Sequence, residues 1–514
     1  MPSCDCVDRD LLVVKAIFFF FFSGMACVSP YMSIYMRHLG LRPSQTGVIT
    51  ATKNFMSALI KPLLGSIADK SGRPKIVAIL TVLAATALHF SLMFVPPVPS
   101  SAAPQTTRQQ ERRRLEEDNH TKTTCSLPVG VGRAMDLRGV DDAHTQPWFS
   151  LTFWLVFWIM FTSHGAQWSS TSQVEAATYQ IIKKKDDSTF GRQRLWGSMG
   201  FGLFSLLSAV AMDTFTDDPG NKTDYSVTFY IFLAFMLVSS GFLFFLDDWS
   251  TGPSVAFLEG VSELLSHLHL VIFLFAVLLL GAYDGAGDTF MYWHLKDLGA
   301  SQTVIGINMF VRTLVEVPLF LVSGWFIDKI GHVWALQLSF VVFALNFLGY
   351  SLIGNPWWAV LIDVIHGYQA ITWTAATSYA SVSARDDLQA VAQGIVSATF
   401  YGLGYGVGNL VSGPVFHHYG AVGLFRSLTV CCLVGFVLFY LLYRCYGKRG
   451  VCTDPDTEEE DTAPMLVSAA VMPKPGAFLH GGSVTTEAGE TLGSLRIVRP
   501  QSKQDGNEIR QFSP

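Results

Sequence analysis

The chain has 514 residues, of which half are apolar and 15% charged, with 39 Phe and 12 Trp. That balance excludes an ordinary soluble domain. The formal net charge of −5 says little about partners, because most charge sits in loops and tails, and nothing points to a nucleic-acid surface.

Twelve stretches reach the roughly 20 mostly apolar residues that a spanning helix needs. The first, 11–36, holds the run Phe18–Phe22 and lacks a small-residue cleavage site, so it reads as a helix rather than a leader. The second, 44–67, carries Lys53 and runs into Gly65-Ser-Ile-Ala-Asp69-Lys70-Ser-Gly72-Arg73-Pro-Lys75. The third is 75–97. Loop 98–147 follows, Pro-rich at its start and charged in its middle, and is expected to be disordered or glycosylated. The fourth helix, 148–178, contains His164-Gly-Ala-Gln167; the fifth, 195–213, follows Arg192 and Arg194; the sixth is 227–246.

Segment 247–267 contains the amphipathic stretch Val255-Ala-Phe-Leu-Glu-Gly-Val-Ser-Glu-Leu-Leu, expected as a helix on the inner interface. The seventh helix, 268–295, carries Asp284 and Asp288, and the eighth, 303–327, carries Arg312 and Glu316. The ninth is 333–354. The tenth, 357–380, contains Asp363 and His366-Gly-Tyr-Gln369. The eleventh, 389–413, holds Gly402-Leu-Gly-Tyr-Gly-Val-Gly408, and the twelfth is 419–443. The glycines do not fit a nucleotide loop, because no strand precedes them; Gly402/Gly406 and Gly404/Gly408 at i,i+4 instead predict close helix packing.

Two stretches repeat in register. Leu39-Gly40, Gly47, Lys53, Gly65, Asp69 and Gly72 recur as Leu298-Gly299, Gly306, Arg312, Gly324, Asp328 and Gly331, each 259 residues on (299 − 40, 312 − 53, 331 − 72). The His-Gly-x-Gln pair is offset by only 202 (366 − 164), which is 57 less, and loop 98–147 accounts for the difference. The repeat predicts an all-α membrane protein of two six-helix, pseudo-symmetric halves. The expected division is 1–246, a linker 247–267, a second half 268–446 and a disordered tail 447–514 that begins acidic at Glu458-Glu-Glu-Asp461.

Short loops set the orientation. Placing both termini in the cytosol makes Lys70, Arg73, Lys75, Lys329 and Arg385 internal, with Lys183–Lys185, Arg192, Arg194, Arg444, Lys448 and Arg449. Only Arg37, Arg42, Lys222 and Lys296 fall in short external loops, as the positive-inside rule requires. Two sequons, at Asn119 and Asn221, land outside under the same topology and are glycosylation candidates. Of eight Cys only Cys125 is external, so no external disulfide is expected.

The loop Gly65–Lys75 resembles the signature loop of the major facilitator superfamily, and the resemblance covers all twelve helices. Gly191-Arg-Gln-Arg-Leu-Trp-Gly-Ser-Met-Gly200 and Asp363-Val-Ile-His-Gly367 are similar to the sugar- and nucleoside-cation symporter branch. More closely still, the chain resembles the vertebrate group of major facilitator superfamily domain-containing protein 6 and its 6-like paralogue; its modest length fits the 6-like member. The resemblance implies the major facilitator fold and a conformational latch made of Gly65, Asp69, Gly72 and Arg73 in one half and Gly324 and Asp328 in the other. Asp69 would face Arg385–Gln389, and Asp328 would face Arg192 and Arg194. His332 stands where Arg73 has its counterpart, a departure from the pattern.

Charges within spanning helices cost roughly 2.5–3.5 kcal/mol each on insertion scales, so they face a cavity or a partner. Asp284/Asp288 and Arg312/Glu316 are i,i+4 pairs on one helix face each. With Lys53, His164, Asp363 and His366 they are the candidate substrate or proton site. A static ion-pair network holding the halves together is the competing reading. No cofactor, metal or catalytic residue is expected. The expected function is secondary transport of a small polar solute, with protons as a coupling partner, in the plasma membrane or an endosomal or lysosomal membrane. The alternative is a non-transporting receptor or scaffold that binds a protein ligand through loop 98–147.

Overall fold

The computed structural model describes residues 9–99, 150–183, 190–216, 223–246, 257–385 and 388–447, with a few side chains, including that of Asp69, left aside. Asn119, Asn221, Cys125, residues 100–149 of the long loop and the tail beyond 447 lie outside the described residues. Among the described residues there is no strand. The spanning helices are α1 (Arg9–His38), α2 (Pro43–Ser71), α3 (Pro74–Phe94), α4 (Leu151–Lys183), α5 (Phe190–Thr214) and α6 (Ser226–Leu243) in the first half. In the second half are α7 (Leu268–Asp297), α8 (Gln302–Ile330), α9 (His332–Leu352) and α10, which joins Trp358–His366 to Gln369–Ser383. Next come α11, 389–419, and α12, 421–447, which Gly420 separates with φ 68°.

Most of these helices are long and apolar enough to cross a membrane by composition alone; α2, α4 and α10 are not. The shortfall has a cause. α2 carries Lys53 and Lys61, α4 carries a polar run from Ser163 to Gln173, and α10 breaks at Gly367 beside two buried polar residues, Asp363 and His366. Such side chains are tolerated within a membrane where they face the bundle interior.

The sequence repeat is visible as backbone geometry. Gly40 and Gly299 end α1 and α7 with φ of 86° and 82°, and Gly72 and Gly331 end α2 and α8 with φ of 62° and 86°. These are left-handed helix stops that favour glycine. The predicted amphipathic linker forms the helix Phe257–Ser266, whose Glu263 pairs with Arg385 at 3.1 Å.

Polar ties join the halves at the end bearing Gly40 and Gly299, the predicted outer end. Arg37 pairs with Asp297 at 2.7 Å, and the Trp293 indole donates to Ser33 O at 2.9 Å. Asp213 of α5 accepts from Gln302 N (3.1 Å), Thr303 N (2.7 Å) and Thr303 Oγ1 (2.7 Å) at the start of α8. Gly47 of α2 meets the backbone of Asn409 and Gly413 of α11.

The opposite end differs. A Cβ built on Gly65, Gly72, Gly324 or Gly331 would have no neighbour within 4 Å. Asp328 is exposed and forms no ion pair with Arg192 or Arg194 among the described residues. Arg192 and Arg73 are exposed. Arg194 turns instead to Glu175 at 3.8 Å and lies 3.8 Å over the Phe22 ring.

Candidate functional site

Two features of α11 put Tyr405 at the centre of the second half. First, α11 has glycines on two faces. Gly402 and Gly406 lie against Ala58 and Phe55 of α2, while Gly404 and Gly408 lie against Gly281 and Ala282 of α7. No side chain fits at such approaches, so α11 is gripped between the halves. Second, the π-helical turn Ala398–Gly404 ends just before Tyr405. Turns of this kind shift helical register and recur at functional sites.

The hydroxyl of Tyr405 lies 2.7 Å from Asp284 Oδ2 and 3.1 Å from Asp288 Oδ2. Asp284 is buried and also accepts from Gln369 Nε2 at 3.0 Å; its other oxygen lies 3.0 Å from His366 Nε2. Asp288 takes the guanidinium of Arg312 at 2.6 Å, and Arg312 Nε reaches Glu316 at 3.1 Å. The Arg312 charge is thus shared by two carboxylates on α7 and α8. Charge-assisted bonds of this kind are roughly twice as strong as neutral ones. His366 stacks on Phe343, and its Nδ1 has no hydrogen-bond partner among the described residues.

Asp363 is fully buried and stands slightly apart. Tyr350 donates to one of its oxygens, while its Oδ2 has no hydrogen-bond partner among the described residues. A buried carboxylate oxygen left so is costly. Asp284, Asp288 and His366 each bring a ligand atom within 4.8 Å of the others, a grouping with the donor types of a cation site. Arg312 already supplies positive charge at Asp288, so the cluster holds together without one.

The structure therefore joins five of the predicted residues, Asp284, Asp288, Arg312, Glu316 and His366, in one bonded cluster, with Asp363 on the same helix as His366 but bonded to Tyr350. It does not bring Lys53 and His164 to them. Those two line a separate recess in the first half, with His89. An aromatic bridge spans the space between. Lys61 lies 5.0 Å over Trp168 of α4, Trp168 stacks on Tyr401 of α11 at 6.2 Å, and Tyr401 lies 5.4 Å from Tyr405. Trp373 of α10 completes the group, 4.9 Å from Tyr401.

Tyr405, Gln369 and His89 were not among the predicted site residues. Gln369 had a signal, because it closes the repeated His-Gly-x-Gln. Tyr405 was masked by the glycines around it, whose packing role is correct but incomplete. His89 had none.

The model of the MFS_1 like family matches residues 11–427. The chain belongs to the MFS_1 like family. Relatives agree. It is 27% identical over 195 residues to the mouse (Mus musculus) protein named major facilitator superfamily domain-containing protein 6-like, covering 37% of this chain and 33% of the relative. It is 21% identical over 468 residues to the zebrafish (Danio rerio) protein of the same name, covering 81% and 85%. The first match thus spans a third of the mouse protein and the second most of the zebrafish one. In fold, the chain is similar to the crystal structure of an aspartate-to-alanine mutant of the nucleoside transporter NupG, with TM-score 0.66 at 16% identity over 85% of this chain and all of that one. The architecture is the major facilitator fold, in a multi-pass membrane protein of the MFS_1 like family.

Proposed function

We propose that the chain is a secondary transporter that moves a small polar solute by alternating access, coupled to protons through Asp284, Asp288 and their partners. The observation that carries this reading is the ring Asp284–Tyr405–Asp288–Arg312–Glu316, built on α7, α8 and α11. Three carboxylates share one guanidinium and one hydroxyl. Moving a proton onto either aspartate changes which partner Arg312 and Tyr405 hold, and α11 is also the helix gripped by α2 of the other half. A change of partner can therefore be felt at the seam between halves.

In the proposed orientation both termini are cytosolic. The ties at Arg37–Asp297 and Asp213–Thr303 then close the outer side, and the separated latch residues leave the inner side open. Asp328 would engage Arg192 or Arg194 only in the opposite state. The proposed halves are 1–246 and 268–446, joined through the linker helix, and the solute would enter between the aromatic bridge and the acidic ring. Proteins named as nucleoside transporters share the fold, which keeps nucleosides within the first solute panel.

The test is uptake by proteoliposomes holding the full chain, with an imposed pH gradient, across solute classes. Uptake that follows the gradient and falls at least tenfold in Asp284→Asn and Asp288→Asn supports the reading. Absence of uptake for every class, with partner capture that disappears on deleting 100–149, would favour the receptor or scaffold.

A further inference from the structure

The recess around Lys53 has a counterpart in the other half, and the comparison shows what it lacks. The 259-residue offset that carries Lys53 onto Arg312 carries Ser29 onto Asp288, Ser57 onto Glu316 and Met25 onto Asp284 (288 − 29, 316 − 57, 284 − 25). Arg312 has two carboxylates within 3.1 Å. Lys53 has no ion pair and no hydrogen bond among the described residues. The first half has the cation but, at the positions matching Asp288 and Glu316, neither acid that neutralises the cation in the second.

The surroundings make that vacancy costly. Met25, Met160 and Phe232 supply apolar walls, while Ser29, His89 and His164 are the other polar groups lining the recess. Lys53 is half-buried, and an ammonium held beside thioethers and a phenyl ring gives up part of its hydration. Among the described residues no acceptor lies within hydrogen-bond distance of its three donors. His164 makes no hydrogen bond among the described residues, and His89 uses only Nδ1, 3.3 Å from Ala85 O. The recess is small, about 20 Å³ of accessible cavity volume, far below the roughly 300 Å³ at which whole-ligand pockets begin. It suits a head group better than an entire solute.

We propose that this recess is an anion site that receives the carboxylate or phosphate group of a small organic anion. The incoming group supplies the negative charge that Asp288 and Glu316 supply to Arg312. Lys53 forms the ion pair and the His164 ring contributes a donor, while neutral His89, whose Nδ1–H is spent on Ala85 O, presents Nε2 as an acceptor. The substrate class, an organic anion whose charged end lies in the first half, rests on the transport reading above; binding itself does not.

The test is thermal unfolding of the purified full chain in detergent, with benzoate, phenyl phosphate, benzamide and benzylamine at equal concentration. A ligand that binds only the folded state raises the midpoint. Benzoate or phenyl phosphate should raise it and the neutral and cationic analogues should not; the stronger of the two anions identifies the preferred group. Lys53→Gln should weaken the anion response at least tenfold in half-maximal concentration. Ser57→Glu, which restores the carboxylate of the other half, should abolish the response while raising the ligand-free midpoint. Should Lys53→Gln not yield folded protein, Ser57→Glu decides. Equal response to benzamide and benzoate, or an anion response that survives in both variants, would overturn the proposal. Anion binding without uptake of any solute would sink the transport reading alone. Uptake of a neutral or cationic solute with no anion binding would sink this inference alone.

Discussion

Replacing Asp213 tests whether the outer end is a gate. Its carboxylate accepts three hydrogen bonds from the first turn of α8, which belongs to the other half. Removing a side chain that caps a helix start costs about 1 kcal/mol. A carboxylate facing the positive end of the helix adds roughly 0.3–1 kcal/mol. Ser301 keeps its own bond to Val304 N at 3.2 Å, so α8 still starts where it does. The loss, about 1.3–2 kcal/mol in sum, therefore falls on the closed outer end and spares the open one. At 1.4 kcal/mol per tenfold, Asp213→Ala should shift the balance between the two states by roughly 10–30-fold. Hydrogen exchange reads it at residues 43–50 of α2, where Gly47 meets α11 on a different pair of helices. Exchange there should quicken in Asp213→Ala and change little in α7. Unchanged exchange at 43–50, in a variant that folds, would refute the idea that Asp213 holds the halves shut.

Arg312→Gln strands Asp288 and Glu316. Breaking a fully buried pair costs about 3–5 kcal/mol, and side-chain exposures of 29% and 24% on the two carboxylates reduce that to roughly 2 kcal/mol after solvent screening; thermal unfolding should show the drop, and Arg312→Lys should recover only part of it. Tyr405→Phe keeps the ring contacts with Tyr401 and removes the hydroxyl, so proton-driven uptake should fall while the unfolding midpoint moves little. A loss of both would make Tyr405 a packing residue. Gly408→Val sets a branched side chain against the backbone of Ala282 and should cost about 1–3 kcal/mol through overpacking, read as lost monodisperse yield on size exclusion.

Much of the fold was legible because its signals are long or repeated. Twelve apolar runs, the in-register glycines and the amphipathic linker each have a physical reason that composition and spacing expose. Pairing across space is harder to see. Asp288 and Arg312 lie 24 residues apart in sequence, and nothing in either helix says that they touch. Lys53 and His164 carry the same signs of function as the acidic ring, yet they fall in a different cavity because the two halves enclose their polar groups separately. The latch residues were read from a pattern that describes one state, whereas the structure holds those loops apart. Tyr405 escaped notice for a subtler reason: a hydroxyl among four glycines looks like packing until the neighbouring helix is present.

That hydroxyl leaves an odd number. It has one hydrogen and faces two carboxylates, at 2.7 and 3.1 Å. When both aspartates are ionised, one oxygen can take the hydrogen fully and the other is left facing lone pairs. One additional hydrogen, carried by either aspartate and donated back to the phenol oxygen, would give every contact a donor. The constellation is thus one hydrogen short of complete, and it counts in single units: zero or one. Under the proposed proton coupling, the expected stoichiometry is one proton per cycle.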